Sequence, residues 1–140
     1  MIVVDTHVVS ELMRPSPSPT VITWVRSYSE RELYTTSITL AEIRYGIGRL
    51  PDGRRKNVLS TTAEEVFVTF AEHILPFDAV AAGHYATIVC AREDAGRPID
   101  GFDAQIAAIT RTHRATLATR NLKHFNDTGI NVINPWASQP

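Results

Sequence analysis

The chain has 140 residues, 44% of them hydrophobic and 21% charged, which is the make-up of one folded domain and excludes a disordered polymer. A chain of this length hides roughly two-thirds of its unfolded surface without metal or disulfide staples; its single cysteine, Cys90, closes no intramolecular bridge, and no apolar run approaches the roughly 18 residues of a membrane span. A net charge of −1, from 14 basic and 15 acidic residues, excludes a uniformly basic nucleic-acid binder, and the lack of a charged-then-apolar leader sets the expectation of a soluble cytoplasmic protein with no membrane partner.

Ile2-Val3-Val4 is a short apolar run that reads as a strand buried on both faces, with Asp5 at its carboxyl end. Thr6 to Met13 reads as a brief helix stopped before Pro15, in which Glu11 is expected to be solvated. The Pro15-Ser16-Pro17-Ser18-Pro19 loop then opens a second helix, with Ser18 as N-cap and Pro19 at N1, which groups Val21, Ile22 and Val25 beside Trp24 and runs to about Tyr28. Leu33-Tyr34-Thr35-Thr36 suits a second strand.

Ser37 to Leu50 has Ile38, Ala41, Tyr45 and Gly48 near helical spacing, with Leu40, Ile43 and Ile47 on the next stripe and Glu42 in its first half. Asp52 to Glu72 reads as largely helical with Val66, Phe67 and Phe70 inward, and Ile74 to Phe77 as a short strand. Asp78 is placed to cap a long helix that Gly96 closes at C′, and Cys90 within it reads as a small core residue. After the connector Arg97-Pro98-Ile99, Asp100 caps a further helix with Asp103 in its first turn and Ile106, Ala107, Ile109 and Thr110 packed. Ala115 to Thr119 is a strand, Asn121 to Asn126 a short helix, and Asn131-Val132-Ile133 the last strand. Alternating strands and helices predict one α/β domain over residues 1–140, with a parallel sheet covered on both sides and ligands bound at the carboxyl ends of its strands.

Charge is distributed unevenly. From Ala104 to Asn126 the cations Arg111, Arg114, Arg120 and Lys123 stand with His113 and His124 and no acid once Asp103 is passed, the pattern of a local basic face. Arg54, Arg55 and Lys56, diluted by Asp52, read as solvated surface.

Three acids occupy positions from which they can converge: Asp5 after the first strand, Glu42 on the helix after the second, and Asp103 in the first turn of a later helix. Two carboxylates about 4 Å apart repel by about 4 kcal/mol at an effective dielectric near 20, so a shared pocket needs protons or cations. Oxygen-only ligation points to Mg²⁺ or Mn²⁺, since zinc recruits Cys or His and neither occurs as a suitable pair here. Phosphodiester chemistry is the natural use of such an ion. Asp5 and Asp103 also have structural readings: Asp5 caps the helix at Thr6, and Asp100 or Asp103 complements a helix dipole. His7 reads as a capping or packing residue, and His73, His84, His113 and His124 are too dispersed to suggest ligands.

Five segments carry a family likeness: Met1 to Glu11 with Asp5-Thr6-His7, Ile38 to Gly46 around Ala41-Glu42, Ile74 to Asp78, Asp103 to Ala108, and Ala118-Thr119-Arg120-Asn121. In this order, with the Asn134-Pro135-Trp136 ending, the chain resembles a PIN domain over essentially its whole length, and more narrowly the VapC and FitB toxins of bacterial type II toxin–antitoxin pairs. The resemblance implies a three-layer α/β/α sandwich with a mostly parallel central sheet and Mg²⁺- or Mn²⁺-dependent endoribonuclease activity, with Asp5, Glu42 and Asp103 holding the ion. A fourth acidic position of many PIN domains falls on Asn121, a neutral residue that puts a second tightly held ion in doubt, and Asp100, one turn before Asp103, is an auxiliary candidate. Position seven, Asn or Ser in the family, is here His7. Thr6 and Thr119 are expected to support the acids, and Arg120 and Lys123 to grip RNA phosphates. The same likeness implies a homodimer, possibly pairing again, and a cognate antitoxin that contacts DNA on the toxin's behalf and lays its tail in an apolar groove, for which Trp24, Tyr45, Ile47 and Leu50 are candidates, each equally readable as core.

A haloacid-dehalogenase-like phosphatase needs a second Asp where His7 stands, and a receiver domain needs a later strand ending in Asp and a Lys after a convincing strand, which Lys123 does not provide. The remaining alternative is a PIN-like module that binds RNA or antitoxin without cutting, to which the neutral Asn121 lends itself.

Overall fold

The computed structural model describes residues 1–137. Its five strands, β1 (Ile2–Val4), β2 (Leu33–Thr36), β3 (Ile74–Leu75), β4 (Thr116–Ala118) and β5 (Asn131–Ile133), pair in the order β3-β2-β1-β4-β5, every pair parallel. Parallel neighbours require crossover connections. These are α1 (Thr6–Leu12) and α2 (Pro19–Arg26) after β1; α3 (Ser37–Gly48), α4 (Arg54–Phe70) and the 3₁₀ turn Ala71–His73 after β2; α5 (Ala79–Asp94) and α6 (Gly101–Thr112) after β3; and the 3₁₀ turn Leu122–Phe125 after β4. The chain steps outward from β1 to β3, then crosses back to β4, so the order reverses between β1 and β4 and opens a crevice at their carboxyl ends.

The central strand shows why the sheet carries helices on both sides. Successive side chains of a strand point to opposite faces, and both Val3 and Val4 are buried. Val3 joins Ile88, Ile106, Ile109 and Leu117 in a core under α5 and α6, whereas Val4 joins Val8, Trp24, Ile43, Phe67 and Phe70 in a core under α1 to α4. This is the expected three-layer sandwich, and Trp24, one of the groove candidates, belongs to its core.

Helix ends follow the expected chemistry with one exception. The Asp78 carboxylate accepts from the Ala81 amide at 2.9 Å, and Asp100 accepts from Phe102 and Asp103 at 3.0 and 3.2 Å. Gly96, at φ 70°, closes α5 with the paired bonds Gly96 N–H to Glu93 and Arg97 N–H to Arg92. The exception is Ser18, which stands at the N-cap of α2 without a side-chain bond; its own N–H is turned toward Glu11 at 3.1 Å.

Other expectations are corrected. Cys90 is exposed, because α5 packs through Ala81, Ile88 and Arg92 and a residue two beyond Ile88 lies about 200° around the helix. On α3 the buried residues are Thr39 and Ile43, leaving Tyr45 69% exposed. The stretch from Arg111 to Lys123 makes no single basic face: Arg111 and Arg114 lie where α6 leads into β4, Arg120 and Lys123 beyond its carboxyl end. Among the described residues, no helix is long and apolar enough to cross a membrane.

Candidate active site at the strand carboxyl ends

Asp5 ends the central strand and begins α1. Its carboxylate accepts from the Val8 amide at 3.0 Å, so the N-cap is real, yet the side chain is only 2% exposed and sits in the crevice. Thr119, at the end of neighbouring β4, hydrogen-bonds the Asp5 carboxylate and accepts from the Asn121 amide at 3.1 Å.

Glu42 reaches the crevice from the second turn of α3. A directed set of hydroxyls serves it: Thr36 donates to Thr39 at 3.4 Å, Thr39 lies 3.2 Å from Thr6, and Thr6 donates to Glu42 at 2.7 Å. Since the Thr6 proton is committed to Glu42 and each hydroxyl has one proton, Thr39 must donate to Thr6. The relay therefore aims a proton donor at the Glu42 carboxyl.

Asp103 enters from the first turn of α6, with its Oδ2 3.4 Å from His124 Nδ1. Asp100 stands one turn earlier, its Oδ2 occupied by backbone amides. The Asn121 side-chain nitrogen lies 3.2 Å from His7 Nε2. The exposed His7 is thus a rim residue; its position follows from the first turn of α1.

All three acids titrate above the usual carboxylate range. Burial pushes Asp5 up, opposed by the Thr119 and Val8 bonds and the His7 charge, with the Asp103 charge pushing further up. Burial does the same to Glu42, with Asp103 and Asp100 adding to it. For Asp103, burial comes first and Asp100 second, partly offset by His124. The Asp103 charge acts on both other acids. No Lys or Arg forms an ion pair with Asp5, Glu42, Asp100 or Asp103 among the described residues.

A hard divalent cation fits this donor set: the groups are oxygens, no Lys or Arg pairs with them among the described residues, and burial makes their charge costly. Among the described residues no three of His, Cys, Asp and Glu stand close enough together to hold a metal ion as they are. Asp5, Glu42 and Asp103 would hold such an ion together with water, in keeping with the incomplete dehydration of Mg²⁺.

Two cations stand beyond the acids without ion pairs among the described residues. Arg120 lies over the Trp136 ring, 5.1 Å from its centroid, and Lys123 is exposed in the 3₁₀ turn. The Trp136 indole donates to Glu11 at 3.4 Å, and Glu11 also receives the Ser18 amide and the Arg14 guanidinium, so it is a buried anchor, 5% exposed, where a solvated residue was expected. Burial pushes the Glu11 carboxyl up, but the Ser18, Arg14 and Trp136 donors outweigh it and hold it below its usual range.

Two contributors escaped the sequence reading. His124 meets Asp103 only through tertiary folding, with no spacing to announce it. Arg92 is buried, and its guanidinium bonds the carbonyls of Arg97, His124 and Asn126 at 2.7, 2.7 and 3.0 Å, tying the 3₁₀ turn to α5. Its spacing from Ile88, four residues on one stripe, was the available signal. Beside Glu42 a groove of about 440 Å³ is lined by Thr6, Met13, Ile43, Ile47 and Leu50; Tyr45 and Trp24 do not line it.

Comparison with known proteins agrees with this geometry. The model of the family described as PIN domain matches residues 2–131. The VapC ribonuclease Y4jK of Sinorhizobium fredii is 36% identical over 97% of this chain and 98% of its own length. Toxin FitB of Neisseria gonorrhoeae is 39% identical over 97% of this chain and 99% of its own. Among solved structures, FitAB bound to an IR36 DNA fragment superposes with a TM-score of 0.92 at 38% identity, covering 100% of this chain and 99% of the other. FitAcB from Neisseria gonorrhoeae superposes with a TM-score of 0.90 at 39% identity, covering 99% and 100%. With the parallel sheet, the acidic crevice and these likenesses together, the chain belongs to the PIN-domain family, among its VapC- and FitB-like members.

Proposed function

We propose that this chain, one domain over residues 1–140, is a cytoplasmic, Mg²⁺- or Mn²⁺-dependent endoribonuclease toxin held in check by a cognate antitoxin. The observation that supports the reading is that Asp5, Glu42 and Asp103 are all pushed up by burial and by like charge, with no Lys or Arg ion pair to any of them among the described residues. When bound there, the ion lowers the pKa of water toward neutrality and offsets charge on phosphoryl oxygens. Asp5, Glu42 and Asp103 hold it. Asp100 adds negative charge, and Asn121 offers a neutral oxygen on the rim in place of a fourth acid.

The chain's other groups position RNA. Thr6 fixes the Glu42 carboxylate and Thr119 that of Asp5, limiting the rotamers each samples. Arg120 and Lys123 take backbone phosphates, contacts that orient the strand without reading its bases. No histidine base is required, and His7 and His124 tune the crevice by their charge.

The relatives compared above include a VapC ribonuclease and the toxin FitB, and one solved neighbour is FitAB bound to DNA. On that basis the groove beside Glu42 receives the antitoxin tail, whose arginine would pair with the crevice acids. DNA is reached only through the antitoxin, and the toxin forms a homodimer. Calorimetric titration of the antitoxin-free protein with Mn²⁺ tests the reading: wild type should bind and Asp5→Asn and Asp103→Asn should weaken binding at least about tenfold, one carboxylate ligand fewer. A folded wild type that takes no Mn²⁺ leaves a module that binds without cutting.

A further inference from the structure

A second polar cavity lies at the other end of the sheet. About 450 Å³ in volume, it is lined by His84 of α5, Arg111 and Arg114 at the end of α6, and Gly129 and Asn131 at the entry to β5. No acid lines it, and neither arginine forms an ion pair among the described residues.

Both arginines are held in ways that packing alone does not call for. The Arg111 guanidinium lies over Gly129, whose φ is 75°; a Cβ there would stand 3.4 Å from its Cζ and Nη1. Arg114 takes φ 51° at the C′ position of α6, with its N–H on Arg111 and the Ala115 N–H on Thr110, both at 3.1 Å. Glycine is the low-strain residue for that position, as Gly96 shows at the end of α5. These bonds also occupy carbonyls at the end of α6, removing part of the negative potential that would repel an anion.

We propose that this cavity is a second phosphate site, which binds a phosphodiester of the RNA strand away from the bond being cut; it rests on the ribonuclease reading above. The helix itself links the two places. Arg111 and Arg114 follow Asp103 by eight and eleven residues, which at about 1.5 Å per residue is about 12–17 Å. At a stacked spacing of about 3.4 Å per nucleotide this is about four or five nucleotides. The site therefore grips long RNA and ignores short RNA.

The test is binding, measured by fluorescence anisotropy in EDTA, of a labelled oligoribonucleotide of about twelve nucleotides and of a trinucleotide, a length difference that spans the separation of the sites. Arg114→Gly is the informative variant, because it removes charge while relieving the backbone, and Arg111→Gln is its companion. Either variant should bind the longer RNA about tenfold more weakly, with a salt slope lower by about one, and bind the trinucleotide unchanged. Inorganic phosphate should shift the Gly129 and Asn131 amide resonances and compete with the longer RNA. Wild-type affinity in both variants overturns the proposal, since arginines that only complement a helix end would give that result. Phosphate shifts that RNA does not compete for also overturn it, leaving a site for a free anion. Because binding is read without metal, a failure to cut RNA in Mn²⁺ counts against the nuclease reading alone.

Discussion

Asp5 serves as helix cap and as crevice acid, and the two roles can be separated chemically. Asparagine keeps an oxygen for the Val8 amide while removing the charge, so Asp5→Asn should fold and lose RNA cleavage by at least about a hundredfold. The pH dependence has a definite sign. Asp5, Glu42 and Asp103 titrate higher when folded than when unfolded, so in this window the unfolded chain holds fewer protons. Stability from these groups therefore falls as pH rises from the ordinary carboxylate range through the raised values. A bound cation reverses the loss: at about a hundred times its Kd, Mn²⁺ should add about 2.7 kcal/mol, raising the melting temperature at neutral pH and far less once the acids are protonated. Glu11 runs the other way. Its lowered carboxyl contributes stability above the ordinary glutamate range that is lost as pH falls through the lowered value. Glu11→Gln should cost about 1.5 kcal/mol in a urea melt, from the weakened bonds to the Ser18 amide and Trp136 indole. That anchor was illegible in sequence because its indole partner lies 125 positions away.

At the scale of elements, caps were the readable features. Asp78 and Asp100 were placed correctly because an N-cap acts on amides two or three residues ahead, a range sequence does report. Burial of a helix face was less readable: α5 is small and apolar on several sides, so Cys90 could not be assigned outward until Arg92 fixed the inward stripe. Arg92 supports the turn bearing Lys123 and His124, and Arg92→Met should cost about 1.5–3 kcal/mol by removing the charged donor that holds these carbonyls. Faster amide exchange in Leu122–Phe125 would accompany it. At the end of α6, Arg114→Gly should stabilise the fold by about 1 kcal/mol, read as a higher urea midpoint, because a left-handed conformation is strained in an arginine.

For the whole molecule, alternation of strands and helices was enough to reach a parallel sheet covered on both sides, because parallel strands must be joined by crossovers. The order β3-β2-β1-β4-β5 was not contained in that alternation, and it sets where the crevice lies. Once β1 and β4 are neighbours, Asp5 and Thr119 end side by side, while α3 and α6 start at the same edge and bring Glu42 and Asp103 with them. The same topology divides the cations, sending Arg120 and Lys123 to the crevice and Arg111 and Arg114 to the far end. A run without acids in sequence became two separate basic surfaces.

Cleavage of a mixed-sequence RNA by the antitoxin-free protein, with Mn²⁺ and with EDTA, for wild type and Asp5→Asn, tests the central claim most directly. Cutting by wild type in Mn²⁺ that disappears both in EDTA and in Asp5→Asn is the expected result. Wild-type protein that binds Mn²⁺ and stays folded yet leaves the RNA intact, or cutting that persists in Asp5→Asn, would contradict it.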